Sequence, residues 1–142
     1  MTVIYDTPPN RAAVKRLVAK VMNISVEDIN SPNRAKKCIL ARQMVVKVYR
    51  DNFCMTWKDI AAHVGTAKHA KHWSTCIHAL RVLNQMLYIN DEYATMHWVK
   101  VQANVEESVE LGYEVKVYVL PQNRDELLKY LAEKGYSYRV KE

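Results

Sequence analysis

The apolar positions of this chain recur mostly at helical spacing. Between residues 10 and 109, hydrophobic side chains return every three or four positions, which places them on one face of an α-helix. This pattern predicts helices over residues 10–22, 37–53, 56–64, 73–83 and 91–111, and a single helical turn over residues 25–29. Ser25 and Thr56 each precede an acidic residue by three positions, which is the spacing of a capping box. The predicted fold is therefore mainly α.

The period changes after Gly112. Residues 113–120 and 136–141 alternate between apolar and polar side chains, which predicts two strands, and residues 124–134 between them have helical spacing. We expect a helical domain over residues 1–105. Residues 106–142 would then form a small C-terminal β-α-β appendage for dimerisation or protein interaction. Two strands alone are marginal in water, so this tail should pack on the body or pair with another copy.

The last long helix of the body also suggests a contact outside the helical domain. Val101, Val105 and Val109 form an apolar stripe on it, and Tyr93 and Met96 continue the pattern towards its start. This helix is longer than one small core would cover. We therefore expect the valine stripe to need a partner beyond the helical domain.

Residues 55–83 have the pattern of a helix-turn-helix. A short helix ends at Gly65, a residue type that readily takes the left-handed conformation common after a helix. A second helix begins at Trp73 and is expected to bury Cys76, Ile77, Leu80 and Leu83. Its exposed positions are basic or carry hydroxyl groups: Lys71, His72, Ser74, Thr75, His78 and Arg81. This arrangement is typical of a recognition helix.

The charge is concentrated in the same half of the chain. The net charge is +6, but residues 10–81 hold 14 Lys and Arg against 4 Asp and Glu, whereas residues 82–142 hold 7 against 10. Such asymmetry indicates a polyanionic partner for the first half. The three cysteines favour reduced thiols and a cytoplasmic location. No apolar run approaches the length of a membrane span.

The loop before the second long helix is cationic. Residues 30–37 bring together Arg34, Lys36 and Lys37, which we expect to contact phosphates. The alternative is that these charges are simply solvated.

The sequence offers little catalytic chemistry. Three widely spaced glycines cannot form a phosphate-binding loop, and no hydrolase or zinc-protease motif is present. His69, His72 and Cys76, with His63 or His78 as a fourth ligand, are the one combination that could suit zinc. Histidines in a basic loop are more often phosphate contacts. We therefore expect no enzymatic activity, no cofactor and no nucleotide.

Two segments resemble a known family. Residues 41–44 read Ala-Arg-Gln-Met, and residues 71–79 read Lys-His-Trp-Ser-Thr-Cys-Ile-His-Ala. They are similar to the two signatures of the C-terminal DNA-binding domain of the bacterial replication initiator DnaA, and the resemblance spans roughly residues 10–100. It implies a compact, Trp-repressor-like helix-turn-helix domain. The second helix would enter the major groove, and the basic loop would reach the adjacent minor groove.

The resemblance also implies roles for single residues. Ser74 and Thr75 match two hydroxyl residues that touch a base and a phosphate. Arg42 and His78 match phosphate contacts, and Lys71 matches the arginine that opens the second signature.

Other positions match less well. Trp57 and Lys58 begin the helix that approaches the bases in the family. His72 stands in place of the signature aspartate and Trp73 in place of its histidine, both of which read bases. Leu40 occupies the position of the minor-groove arginine. The resemblance therefore implies a retained DNA-binding frame with an altered reading surface.

These observations favour a double-stranded DNA-binding protein acting in replication control or transcriptional regulation. The alternative is a protein-interaction module or replication antagonist that acts through the long helix and tail. In either case the tail could form a homodimer. The predicted DNA-binding residues are Arg34, Lys36, Lys37, Arg42, Trp57, Lys58, Lys71, His72, Trp73, Ser74, Thr75, His78 and Arg81.

Overall fold

The computed structural model describes residues 3–64, 72–109 and 117–135. The chain forms two compact units, Met1–Gly112 and Tyr113–Glu142. The first unit contains α1 (Pro8–Met22), α2 (Val26–Asn30), α3 (Lys36–Asp51), α4 (Trp57–Val64), α5 (Trp73–Tyr88) and α6 (Glu92–Ser108). The second contains a 3₁₀ turn (Pro121–Asn123) followed directly by α7 (Arg124–Glu133). The fold is mainly helical, as the apolar spacing predicts.

The predicted caps account for several helix starts. The Ser25 hydroxyl accepts from the Asp28 amide at 3.1 Å, and the Asp28 carboxylate accepts from the Ser25 amide at 3.2 Å, which completes a capping box. The Thr56 hydroxyl accepts from the Asp59 amide at 3.2 Å at the start of α4. Each contact satisfies a backbone N–H that has no partner within its own helix.

The core of the first unit is built around α3. This helix packs against α1, α4 and α5, and α1 also packs against α6. Its largest fully buried side chains are Met44, Val45, Val46, Val48 and Tyr49. Because α3 is covered on several sides, the two helices of the helix-turn-helix rest on a scaffold that continues into α1 and α6.

The side of α6 that enters the core differs from the prediction. Ala94, Trp98, Val101 and Val105 are buried, whereas Met96 is 47% exposed. These four positions follow the i, i+4, i+7, i+11 spacing of one helix face, and residue 96 lies off that face. The expectation that Val101 and Val105 need a partner beyond this domain is wrong, because both lie in the core of the first unit.

The β-α-β appendage is not supported. The helix between the two predicted strands is present as α7. Residues 117–120 are not in a strand, and their side chains are exposed. The rest of the first predicted strand and the whole of the second lie outside the described residues. Alternation alone gives a strand only where neighbouring strands and a covering layer complete a sheet, and residues 117–120 have no such support in the described structure.

Within the described ranges, no helix is long and apolar enough to cross a membrane.

Candidate nucleic-acid interface

The helix-turn-helix consists of α4 and α5, which pack against each other and against α3. The predicted starts near residues 56 and 73 agree with the structure, although α5 continues to Tyr88. Cys76 and Leu83 anchor α5 in the core, while Ile77 and Leu80 are only partly buried. Gly65 and Lys71 lie outside the described residues.

The outer face of α5 carries a row of polar side chains. Ser74, Thr75, His78 and Arg81 are all exposed. Their spacing of i, i+1, i+4 and i+7 places them along one side of the helix, away from the buried Cys76. Hydroxyl, imidazole and guanidinium groups can donate to phosphate oxygens and to base edges. The arrangement therefore presents a continuous row of hydrogen-bonding groups on a helix that is fixed from behind.

An aromatic pair stands at the start of α5. The His72 Nδ1 caps the helix by accepting from the Ser74 amide at 3.2 Å, and it lies 2.7 Å from the Ser74 hydroxyl oxygen. The Trp73 ring centroid is 5.1 Å from that of His72, and Trp73 is 50% exposed. The two residues that replace the aspartate and the histidine of the DnaA signature thus lie together at the exposed N-terminus of α5.

The metal alternative finds no support in the described part of the chain. Cys76 is 2% exposed on the core side of α5, whereas His72 and His78 are exposed. His69 lies outside the described residues. Among the residues that are described, no group of three or more His, Cys, Asp and Glu side chains is arranged to hold a metal ion.

Trp57 and Arg81 line the same groove on the first unit. Both line an open, mainly apolar groove of about 840 Å³, together with Leu80 and Met86. The Arg50 guanidinium carbon lies 4.6 Å from the centroid of the Trp57 ring. Trp57 is accordingly half-buried rather than free on the surface.

The basic loop between α2 and α3 has an ordered backbone. The Ser31 hydroxyl accepts from the Asn33 amide at 3.3 Å, and the Asn33 side-chain oxygen accepts from the Ala35 amide at 2.9 Å. Arg34 lies exposed between these anchors.

The other predicted phosphate-contacting residues of the loop, Lys36 and Lys37, are also exposed, and so is Lys58 at the start of α4. Lys36 Nζ lies 4.2 Å from the centroid of the Tyr93 ring, so this ammonium group is partly engaged within the protein.

Arg42 faces this loop. Its Nε donates to the Ile29 carbonyl at 2.9 Å, and its Nη2 donates to the Ser31 carbonyl at 2.6 Å, to the Asp28 carbonyl at 3.3 Å and to the Asn33 carbonyl. Partial burial lowers the pKa of the guanidinium group, but an arginine remains charged at any ordinary pH.

The position that corresponds to the family's minor-groove arginine carries no charge. Leu40 is buried in the core beside α3's other apolar residues.

One contact of the helix-turn-helix was not anticipated. His63, near the end of α4, donates from Nδ1 to the Asp59 carbonyl at 2.7 Å, and its Nε2 lies 2.6 Å from Arg11 Nη1 on α1. Because the carbonyl can only accept, Nδ1 carries the hydrogen and Nε2 accepts from Arg11. Arg11 also pairs with Asp6. No sequence signal marks this contact, since Arg11 and His63 are 52 positions apart.

The arrangement of α3, the loop and the two helices agrees with a comparison against protein families. The family model for the bacterial DnaA protein helix-turn-helix matches residues 12–82, which is half of the chain. No curated protein and no solved structure matches. The matched segment contains the basic loop, Arg42, α4 and the first half of α5. This chain belongs to the family of bacterial DnaA helix-turn-helix domains.

Proposed function

We propose that this chain binds double-stranded DNA with α5 in the major groove and the loop between α2 and α3 on the adjacent backbone and minor groove, in replication control or transcriptional regulation. Membership of the family implies DNA binding. The observation that carries the finer proposal is the exposed row of Ser74, Thr75, His78 and Arg81 on a helix whose opposite side is buried. A helix presented in this way fits the major groove.

The distribution of charge supports the same site. Residues 10–81, with 14 Lys and Arg against 4 Asp and Glu, include the loop and the first part of α5. A cationic surface of this kind releases counterions condensed on DNA, which favours binding without regard to sequence. Lys37, Lys58 and His78 are exposed and would contribute such phosphate contacts. Lys71 would add another phosphate contact.

Sequence selectivity would come from the start of α5. Ser74 lies beside the cap residue His72, and Trp73 extends outward from the same turn. An indole offers apolar surface to a thymine methyl group, and the imidazole offers a hydrogen bond to a base edge. Because these groups replace an aspartate and a histidine of the family signature, the target should differ from the initiator's usual box.

Selection from a random duplex library, followed by titration at several salt concentrations, tests the proposal. We expect a defined selected sequence. The logarithm of the affinity should fall linearly with the logarithm of salt, with a slope that reports several neutralised phosphates. A flat salt response, or no binding to duplex DNA at low salt, would overturn it.

A second candidate function is protein binding through the Tyr113–Glu142 unit. Val117, Tyr118, Leu120 and Tyr130 are all more than half exposed. Apolar surface of this kind favours contact with another protein, and a second copy of this chain is one such partner. The alternative role as a replication antagonist would act through the long helix α6 together with this surface. If the chain acts in this way, substitutions on α5 should leave its inhibition of replication intact, whereas substitutions at Val117, Tyr118, Leu120 and Tyr130 should abolish that inhibition.

A further inference from the structure

Arg34 sits between two anchored peptide groups. On one side, the Asn33 carbonyl accepts a hydrogen bond from Arg42 Nη2. On the other side, the Ala35 amide donates to the Asn33 side-chain oxygen at 2.9 Å. Peptide groups are planar, so fixing the two that flank a Cα atom also fixes the direction in which its side chain leaves the backbone. The exposed Arg34 therefore leaves the loop in a defined direction.

Arg42 supplies one of these two anchors and also holds the rest of the loop. Its planar guanidinium reaches the carbonyls of Asp28 and Ile29 near the end of α2, and those of Ser31 and Asn33 in the loop. Carbonyls in the last turn of a helix lack partners within that helix, and a nearby cation satisfies them. One side chain thus ties the end of α2 and the loop to α3.

The same contacts leave Arg42 poorly placed to hold a phosphate. Its Nη2 has two hydrogens and three carbonyl acceptors, and its Nε is bonded to a fourth carbonyl. A bidentate phosphate contact needs two parallel N–H groups that point away from the protein.

We propose that Arg42 is a positioning residue that holds Arg34 for contact with DNA, and that Arg42 itself makes no bidentate contact with phosphate. The inference rests on the proposed DNA-binding function. It replaces the phosphate role that the family resemblance implies for Arg42.

A double-mutant cycle tests the coupling, using the duplex selected with the wild-type chain. Arg34→Ala should weaken binding about tenfold and reduce the salt slope by about one. Arg42→Met should produce a loss of similar size. The double variant should bind no more weakly than Arg34→Ala, because Arg42 then has nothing left to position. Losses that multiply to about a hundredfold would overturn the proposal.

The matched control for charge is Arg42→Lys. Lysine keeps the positive charge but cannot bond the four carbonyls with a planar fork. We expect it to lose as much affinity as Arg42→Met. Recovery of wild-type affinity by Arg42→Lys would overturn the proposal, since a charge alone would then suffice.

Asn33→Ala removes the second anchor without touching Arg42, and it changes an exposed residue. It should weaken binding, and the loss should vanish in the Arg34→Ala background. If thermal melting shows that the Arg42 variants unfold, Asn33→Ala still tests whether the anchored loop positions Arg34. An affinity of Asn33→Ala for the selected duplex equal to that of the wild-type chain would overturn the proposal. Lys37→Ala is the control for independence, because its loss should multiply with that of Arg42→Met.

Loss of the DNA-binding function and loss of the positioning role of Arg42 would give different results. If the wild-type chain binds no duplex at low salt, the DNA-binding function fails and the role of Arg42 fails with it. If the wild-type chain binds but the losses for Arg34 and Arg42 multiply, only the positioning role is overturned.

Discussion

At the scale of single residues, Tyr49 connects stability to pH. The side chain is fully buried, and its hydroxyl donates to the Arg11 carbonyl at 2.9 Å. Burial raises the pKa of this phenol well above its usual value, and the nearby Arg11 charge opposes that shift only in part. The phenol therefore stays protonated in the folded chain under conditions in which an unfolded tyrosine ionises.

We expect Tyr49→Phe to reduce the unfolding free energy by about 1 kcal/mol near pH 7, because the hydrogen bond to the carbonyl is lost. This deficit should shrink above about pH 10, the ordinary pKa of tyrosine. There the unfolded wild-type chain loses the phenol proton while the folded chain keeps it, so wild-type stability falls as pH rises and the phenylalanine variant avoids that loss. Denaturant unfolding across this range measures the difference. A deficit independent of pH contradicts the prediction, and Tyr88→Phe at an exposed position is the control.

The aromatic pair at the start of α5 gives a prediction about specificity. The double substitution His72→Asp with Trp73→His restores the family residues, and aspartate is also a good N-cap, so α5 should keep its start. We expect the sequence selected from a random duplex library to change, because these side chains face base edges in the proposed complex. The salt slope should change by about one or less. If wild type and variant select the same sequence, the pair does not read bases.

At the scale of helices, α6 shows how one face is chosen. Trp98 is buried and lies against Lys47, whose Nζ is 5.4 Å from the centroid of the indole ring. Met96, two positions earlier, is half-exposed. The core of the first unit therefore uses the aromatic residue and leaves the methionine outside.

This choice is testable with a matched pair of substitutions. Trp98→Ala should lower the unfolding free energy by about 3–5 kcal/mol, since it leaves a large cavity in the core. Met96→Ala on the same helix should change it by less than about 0.5 kcal/mol. Denaturant unfolding of the two variants measures both values. Equal losses of unfolding free energy in the two variants would contradict the prediction that only Trp98 lies in the core.

At the scale of the whole molecule, the Tyr113–Glu142 unit presents apolar side chains to solvent. Tyr118 is 93% exposed, and Leu120 and Tyr130 are also exposed. The α7 side chains Leu127, Leu128 and Leu131 are partly buried. A second copy of this unit would cover such a surface with two-fold symmetry, and a dimer would raise the affinity for a paired DNA site through effective concentration.

We therefore expect the full chain to sediment as a dimer at micromolar concentration. Tyr118→Ser with Leu120→Ser should shift it to a monomer and weaken binding to an inverted-repeat duplex. Tyr88→Ser with Ile89→Ser is the matched control, because both residues are also large, apolar and mostly exposed but belong to the Met1–Gly112 unit. A monomeric wild-type chain, or dimers in both variants, would contradict the proposed role of this unit.

The sequence by itself determined the helical elements and the family. Capping at Ser25 and Thr56 and the apolar spacing are local features, so they show where helices begin and which face is apolar before any packing is known. The exposed row on α5 follows from the same periodicity, because positions opposite a buried stripe must face outward. The alternation of residues 117–120 predicted a strand that the structure does not contain at these positions. A strand depends on pairing partners that the local pattern does not specify.

Only the tertiary structure decided which groups meet. The burial of Trp98 instead of Met96 depends on where α1 and α3 lie. The bond between Arg11 and His63 joins positions far apart in the chain. The direction of Arg42 depends on carbonyl oxygens, and every residue has one, so no residue type marks an acceptor in the sequence. Local periodicity assigns a residue to a helix face, whereas the partner of that face is fixed only when the helices pack.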